Sequence, residues 1–257
     1  MRTKYSPRSN GEAAALDAQP AADARKGAHP AADAREVAIE AAPGVVLGGD
    51  LSPPSQARPR GVVLFAHASR LTRRDQRNRV VVAALSRAGL ATLLLDVFTA
   101  HEKVGYPPTD DVELLSQRIV AATHWLRDQP EVRSLALGYL AASGGSDAAL
   151  LSAAKLPEHI GAVVAWGGGG ELAQAPLHEI VAPVLLIVDG HAEDLERACE
   201  MRRRLRCPTD LAIVPGATHA FEHFGPVQRA ARLTADWFTR HLCEAAPVAQ
   251  PRQRALA

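Results

Sequence analysis

Six short apolar runs, five of them followed by a stretch with helical character, constrain the fold of this chain more than any other feature. They are "GVVLFAH" at 61–67, "ATLLLDV" at 91–97, "SLALGYL" at 134–140, "GAVVAWG" at 161–167, "PVLLIVDG" at 183–190 and "DLAIVPG" at 210–216. Near-continuous apolar runs of this length are what strands covered on both faces require. The helical candidates are Arg77–Ala88, Asp111–Asp128, Gly144–Lys155, Glu193–Leu205 and Pro226–Cys243. Strand alternating with helix predicts an α/β fold, a mostly parallel central sheet with helices on both faces. Upstream, "EVAIEA" and "GVVLGGDL" flank the turn signal Pro43-Gly44 and read as an antiparallel pair.

With 257 residues, 47% of them hydrophobic, the chain can bury one full core, and residues 36–243 read as a single domain. Residues 1–35 hold a near-duplicate, "QPAADAR" and "HPAADAR", with almost no large apolar side chains, so burial there cannot offset the ordering entropy. That stretch is expected to be a disordered tail, and residues 244–257 a flexible one. The formal charge of +1 gives no field that would attract nucleic acid or an anionic membrane. A small-molecule substrate is the expected partner, handled by a monomer or homodimer. Cys199, Cys207 and Cys243 form an odd set without metal-ligand spacing, which fits a reduced setting. The opening residues lack the apolar core of a secretory signal, and no run reaches the roughly 18 apolar residues that span a bilayer. A soluble, cytoplasmic protein follows as the expectation.

In parallel sheets, chemistry gathers at the carboxyl ends of the strands. Ser143 follows the third parallel run inside "AASGG", with small residues on both sides, as a strained strand-to-helix turn that exposes a nucleophile demands. Ser146 is a rival flanked by small residues too, but it lies further from the strand end. His219, in "VPGATHAF", follows the last run, where a general base leans over the sheet edge. In "FAHAS", after the first parallel run, Ser69 offers a backbone N–H that joins that of Gly144 in an oxyanion hole. Arg70, Arg73, Arg74 and Arg77 load the following loop, and Arg70 and Arg73 suit a substrate carboxylate or phosphate. No H-E-x-x-H or phosphate-loop pattern occurs, so neither metal nor cofactor is expected.

"GVVLFAHAS", "RNRVVVAALSRAGLATLLLD", "GYLAASGG", "PVLLIVDGHAED" and the "VPGATHAFE" to "ADWFTRHL" stretch together resemble the dienelactone-hydrolase-like proteins of the α/β-hydrolase superfamily. The resemblance spans about Val37 to Leu242 and implies an eight-stranded sheet with serine- or cysteine-based acyl chemistry. An acyl-enzyme on Ser143 acting on an ester, lactone or thioester is the leading expectation. A catalytically impaired binding or scaffold protein, or an acyl transferase, are the alternatives. Three positions depart from the family: Ala68 and Ala141 stand where glycines are usual, and Ala192 where an aspartate is usual. Of Glu193, Asp194, Asp189 and Glu171, Glu193 is the first choice to orient His219, because it adjoins the missing aspartate and has a longer side chain.

Overall fold

The computed structural model describes residues 34–54, 58–68, 73, 75–104, 111–142, 144–167, 175–217 and 223–243, without the His67 side chain. Eight strands form one sheet: β1 (Arg35–Ala42), β2 (Val45–Ser52), β3 (Gly61–His67), β4 (Leu90–Asp96), β5 (Leu137–Ala142), β6 (Ile160–Trp166), β7 (Val184–Val188) and β8 (Thr209–Ile213). Their order is β1-β2-β4-β3-β5-β6-β7-β8. β1–β2 and β2–β4 pair antiparallel, and every pair from β4–β3 to β7–β8 is parallel. The helices are α1 (Gln76–Arg87), α2 (Ala100–Val104), α3 (Val112–Asp128), α4 (Gly144–Lys155), α5 (Ala192–Arg204) and α6 (Phe224–Phe238). This is the α/β-hydrolase architecture, with the predicted antiparallel pair at one edge.

The strand residues sort their side chains to opposite faces. Val62, Leu64 and Ala66 of β3 join a core with Leu115 and Ile119 of α3, Ala148 and Leu150 of α4, and Met201 of α5. Val63 and Phe65 face the other way, towards Val81 and Leu85 of α1 and Val227, Trp237 and Phe238 of α6. β4 is buried along its whole length, which explains its unbroken apolar run. Helix starts follow side-chain capping: Asp75 accepts from the Arg77 N–H and Asp111 from the Leu114 N–H, each at 2.9 Å.

Two strands shift from their expected positions. β5 begins at Leu137, not Ser134, because Gln129–Leu135 winds through successive turns; the Val132 N–H bonds Gln129 O and the Leu135 N–H bonds Val132 O. It then runs on through Ala141 and Ala142. β8 stops at Ile213, before the Pro215-Gly216 turn, where the Ala217 N–H closes onto Val214 O. Helix α2 and a 3-10 turn at Leu177–Glu179 are additions that the periodicity, too short in both, does not signal.

Gly138 makes the tightest helix–sheet contact. A Cβ built there would lie 2.5 Å from Phe238 Cε1 and 3.0 Å from Leu242 Cδ1, so the ring of Phe238 rests directly on the β5 backbone. Gly138→Ala is expected to lower stability by about 1–3 kcal/mol through overpacking. Urea unfolding reads this as a lower midpoint at unchanged m-value; an unchanged midpoint refutes the contact.

Candidate active site

β5 ends at Ala142 and α4 starts at Gly144, so one residue, Ser143, joins strand to helix. Ser143 lies outside the described residues, as do Ser69, Arg70, Arg74, Glu171 and His219; the framework around several of them does not. In the first turn of α4, a Cβ on Gly145 would sit 3.0 Å from Ala68 Cβ, 3.4 Å from Ala66 O and 3.6 Å from Ala141 Cβ. The helix therefore starts flush against the end of β3, and the small residues at 68, 141 and 145 are what permit it. Ala68, unusual for the resemblance, is tolerated because its methyl faces a glycine. Gly144 is exposed, and as the first residue of the helix its N–H has no intrahelical acceptor.

The rival serine has a structural task. Ser146 is fully buried, and its hydroxyl donates to the carbonyls of Ala141 at 3.2 Å and Trp166 at 3.1 Å, stitching α4 to β5 and β6. Donation to two strand carbonyls keeps that oxygen inside the core and away from any carbonyl substrate.

The carboxylates after β7 differ sharply in environment. Glu193, the expected orienting acid, projects from the first turn of α5 with its side chain 85% exposed, 3.6 Å from Arg197. It lines a groove of about 400 Å³ along that helix, together with Leu177, Arg197, Met201 and Arg204. Asp194 is occupied by Arg197 at 3.2 Å. Asp189, directly after β7, is buried, with its side chain 2% exposed; its Oδ1 accepts the His191 N–H at 2.8 Å. Sequence distance from the missing aspartate favoured Glu193, whereas the buried carboxylates are Asp189 and Asp194, the latter paired with Arg197.

Arg73 is an internal clamp instead of the substrate clamp expected of it. Its Nε lies 2.9 Å from Asp50 Oδ1 of β2, Nη1 lies 3.1 Å from Asp96 Oδ2 of β4, and Nη2 pairs with Glu36 of β1. Gly48 leaves the space, since a Cβ there would be 2.8 Å from Arg73 Nη1. Burial of the side chain, 13% exposed, opposes its charge, but Asp50 and Asp96 outweigh that and raise its pKa further. The arginine thereby ties the segment between β3 and α1 to three strands. Asp96 also holds Lys103 of α2 at 2.7 Å. Helix α2 is fixed in turn by Arg118 of α3, whose guanidinium forks onto Glu102 at 2.7 and 2.9 Å and reaches Val97 O at 2.8 Å.

Among the described residues, no group of His, Cys, Asp and Glu is gathered to hold a metal ion, and no helix is long and apolar enough to cross a membrane. No family model matches the chain. Among solved structures, a dienelactone hydrolase from Anabaena variabilis is 39% identical, with a TM-score of 0.73, over 82% of this chain and 99% of that one. The chain belongs to the dienelactone-hydrolase-like family of α/β-hydrolases. A Xanthomonas campestris α/β serine hydrolase without a lid shares the fold at 16% identity, with a TM-score of 0.65 over 84% of this chain and 98% of that one. Two strains of Mycobacterium tuberculosis carry relatives provisionally named phosphoribosyl transferases, 42% identical over 206 residues. That match spans 79% of this chain but 46% of theirs, so the chain covers about half of their length.

The charged network gives this family member a defined response to acid. The hydrogen bonds from Arg118 lower the Glu102 pKa from 4.5 to about 2. A carboxylate whose folded pKa is depressed adds stability above its unfolded value and loses it as pH falls through the folded one. Glu102→Gln should therefore flatten the loss of thermal stability between pH 4.5 and about 2, with the difference from wild type largest above pH 4.5. A parallel pH dependence in the two proteins would refute the assignment. Because Glu102 is partly solvated, the effect is modest.

Proposed function

We propose that this chain hydrolyses a small ester, lactone or thioester through an acyl-enzyme on Ser143. The observation that carries the reading is the one-residue junction between β5 and α4, pressed against the end of β3 by Gly145 and Ala68. Ala142 and Gly144 lie at the carboxyl edge where such sheets bind ligands, and a serine between them suits a strand-to-helix nucleophile turn. The 39% identity to a dienelactone hydrolase supports the same chemistry.

In the proposed reaction, His219 Nε2 takes the Ser143 proton while Oγ attacks the substrate carbonyl. The N–H groups of Gly144 and Ser69 hold the oxyanion. The imidazolium returns the proton to the leaving oxygen or sulfur, and the acyl group stays on Ser143. Water, deprotonated by His219, then releases the acid and regenerates the serine. Arg70 supplies the guanidinium for a substrate carboxylate, Arg73 being committed within the protein. The transferase name of the mycobacterial relatives attaches to proteins more than twice as long as the matched segment and is not carried over to this chain.

Fluorophosphonate labelling and turnover of short p-nitrophenyl esters test this proposal. Ser143→Ala should abolish labelling and lower kcat by at least about a thousandfold, as loss of a nucleophile does in comparable triads. Labelling that persists undiminished in the variant would overturn the acyl-enzyme.

A further inference from the structure

The two edges of the sheet are guarded unequally against pairing with another chain. At β1, the exposed Glu36 and Glu40 alternate with the buried Val37 and Ile39, and the register shifts between Glu40 and Ala42. Charges and irregularities of this kind discourage strand addition. β8, at the opposite edge, pairs with β7 in unbroken register and has a single charged residue, Asp210. Its last residue, Ile213, is 48% exposed.

The direction of each polar group on β8 follows from its bonds to β7. The Val184 N–H donates to Pro208 O at 2.9 Å and the Val214 N–H to Val188 O at 2.8 Å, so the even-numbered residues from 208 to 214 turn their polar groups towards β7. The main-chain N–H and C=O of Thr209, Leu211 and Ile213 therefore point outwards, and among the described residues nothing pairs with them. We propose that β8 pairs antiparallel with β8 of a second copy of this chain, about a two-fold axis at Leu211, joining two eight-stranded sheets into one.

That register uses every outward group. Leu211 lies opposite its own copy and Thr209 opposite Ile213, so three donors from each copy make six hydrogen bonds. Asp210 falls opposite Ala212, which keeps the two carboxylates apart. A slip of the pairing towards the strand start would set Asp210 against its copy, and a slip the other way would set Pro215, which has no N–H, against Thr209. Self-complementarity is what a closed two-fold interface requires, and it favours a second copy over an unrelated strand. Leu211 packs into the core on the side that α5 covers, so Thr209 and Ile213 share that side. On α5, the half-buried Leu195 and Cys199 occupy the flank opposite the groove residues Glu196, Arg197 and Glu200, where α5 of the second copy would cover them.

The dimer is independent of the acyl-enzyme reading and is tested without an activity assay. Sedimentation equilibrium of the full chain at about 100 µM, a concentration suited to a small interface, should give twice the monomer mass of 27.3 kDa. Ile213→Lys, which puts a charge on the exposed edge, should sediment as a monomer with the circular dichroism spectrum of the wild type. A mixture of Asp210→Cys and Ala212→Cys chains, oxidised together, should give a disulfide-linked dimer, because opposed residues of a non-hydrogen-bonded pair lie about 4.5 Å apart. Neither variant alone should cross-link, each residue being out of register with its own copy. A monomeric wild type, a dimer that persists in folded Ile213→Lys, or the lack of a cross-link specific to the mixture would each overturn the proposal. Should Ile213→Lys not fold, the wild-type mass and the cross-linking decide.

Discussion

The approach of helix α4 to the end of β3 is the constraint on which the rest of the site depends. A methyl group on Gly145 would be crowded, with Ala68 Cβ at 3.0 Å, Ala66 O at 3.4 Å and Ala141 Cβ at 3.6 Å from where it would be. That contact fixes the start of α4 relative to two neighbouring parallel strands, β3 and β5, and leaves one residue to make the junction. Ser146, one turn into the helix, locks the arrangement by donating to the carbonyls of Ala141 and Trp166. The small side chains at 68, 141 and 145 are thus consequences of a single close contact.

A second constraint is electrostatic. Glu36, Asp50 and Asp96 approach one another on β1, β2 and β4, and three carboxylates so placed repel unless a cation joins them. Arg73 supplies it, with a planar fork of donors that a lysine cannot match. It anchors the start of α1 to the sheet, while Lys103, Glu102 and Arg118 secure α2 against the same region. Arg73 and helix α2 are thereby held to the sheet by ion pairs that range from buried at Asp96 to exposed at Glu36.

Family membership and provisional names carry different weight here. The Anabaena dienelactone hydrolase is matched over 99% of its length, so the likeness extends across that whole chain. The mycobacterial relatives are matched over 46% of theirs, and a name given to a whole protein need not describe the part that is shared. Ala192 stands where the resemblance leads one to expect an aspartate, and Asp189, three residues earlier, is a buried carboxylate at the end of β7.

The one-dimensional pattern was sufficient for the alternation of strands and helices and for the antiparallel edge pair, because both follow from local periodicity and turn signals. It also located the start of α4 just after β5, since the close approach of helix and strand restricts residue size at the neighbouring positions. It misjudged what depends on distant partners. Arg73 reads as a free cation at a loop tip until the carboxylates 23 and 37 residues away are brought beside it. Glu193 reads as the natural substitute for a missing acid until the helix turns it into water. Spacing along the chain determined which groups are available near the sheet edge; only the tertiary structure decided which are paired, which are solvated and which are buried with an acceptor to spare, because those properties are set by neighbours that sequence order does not name.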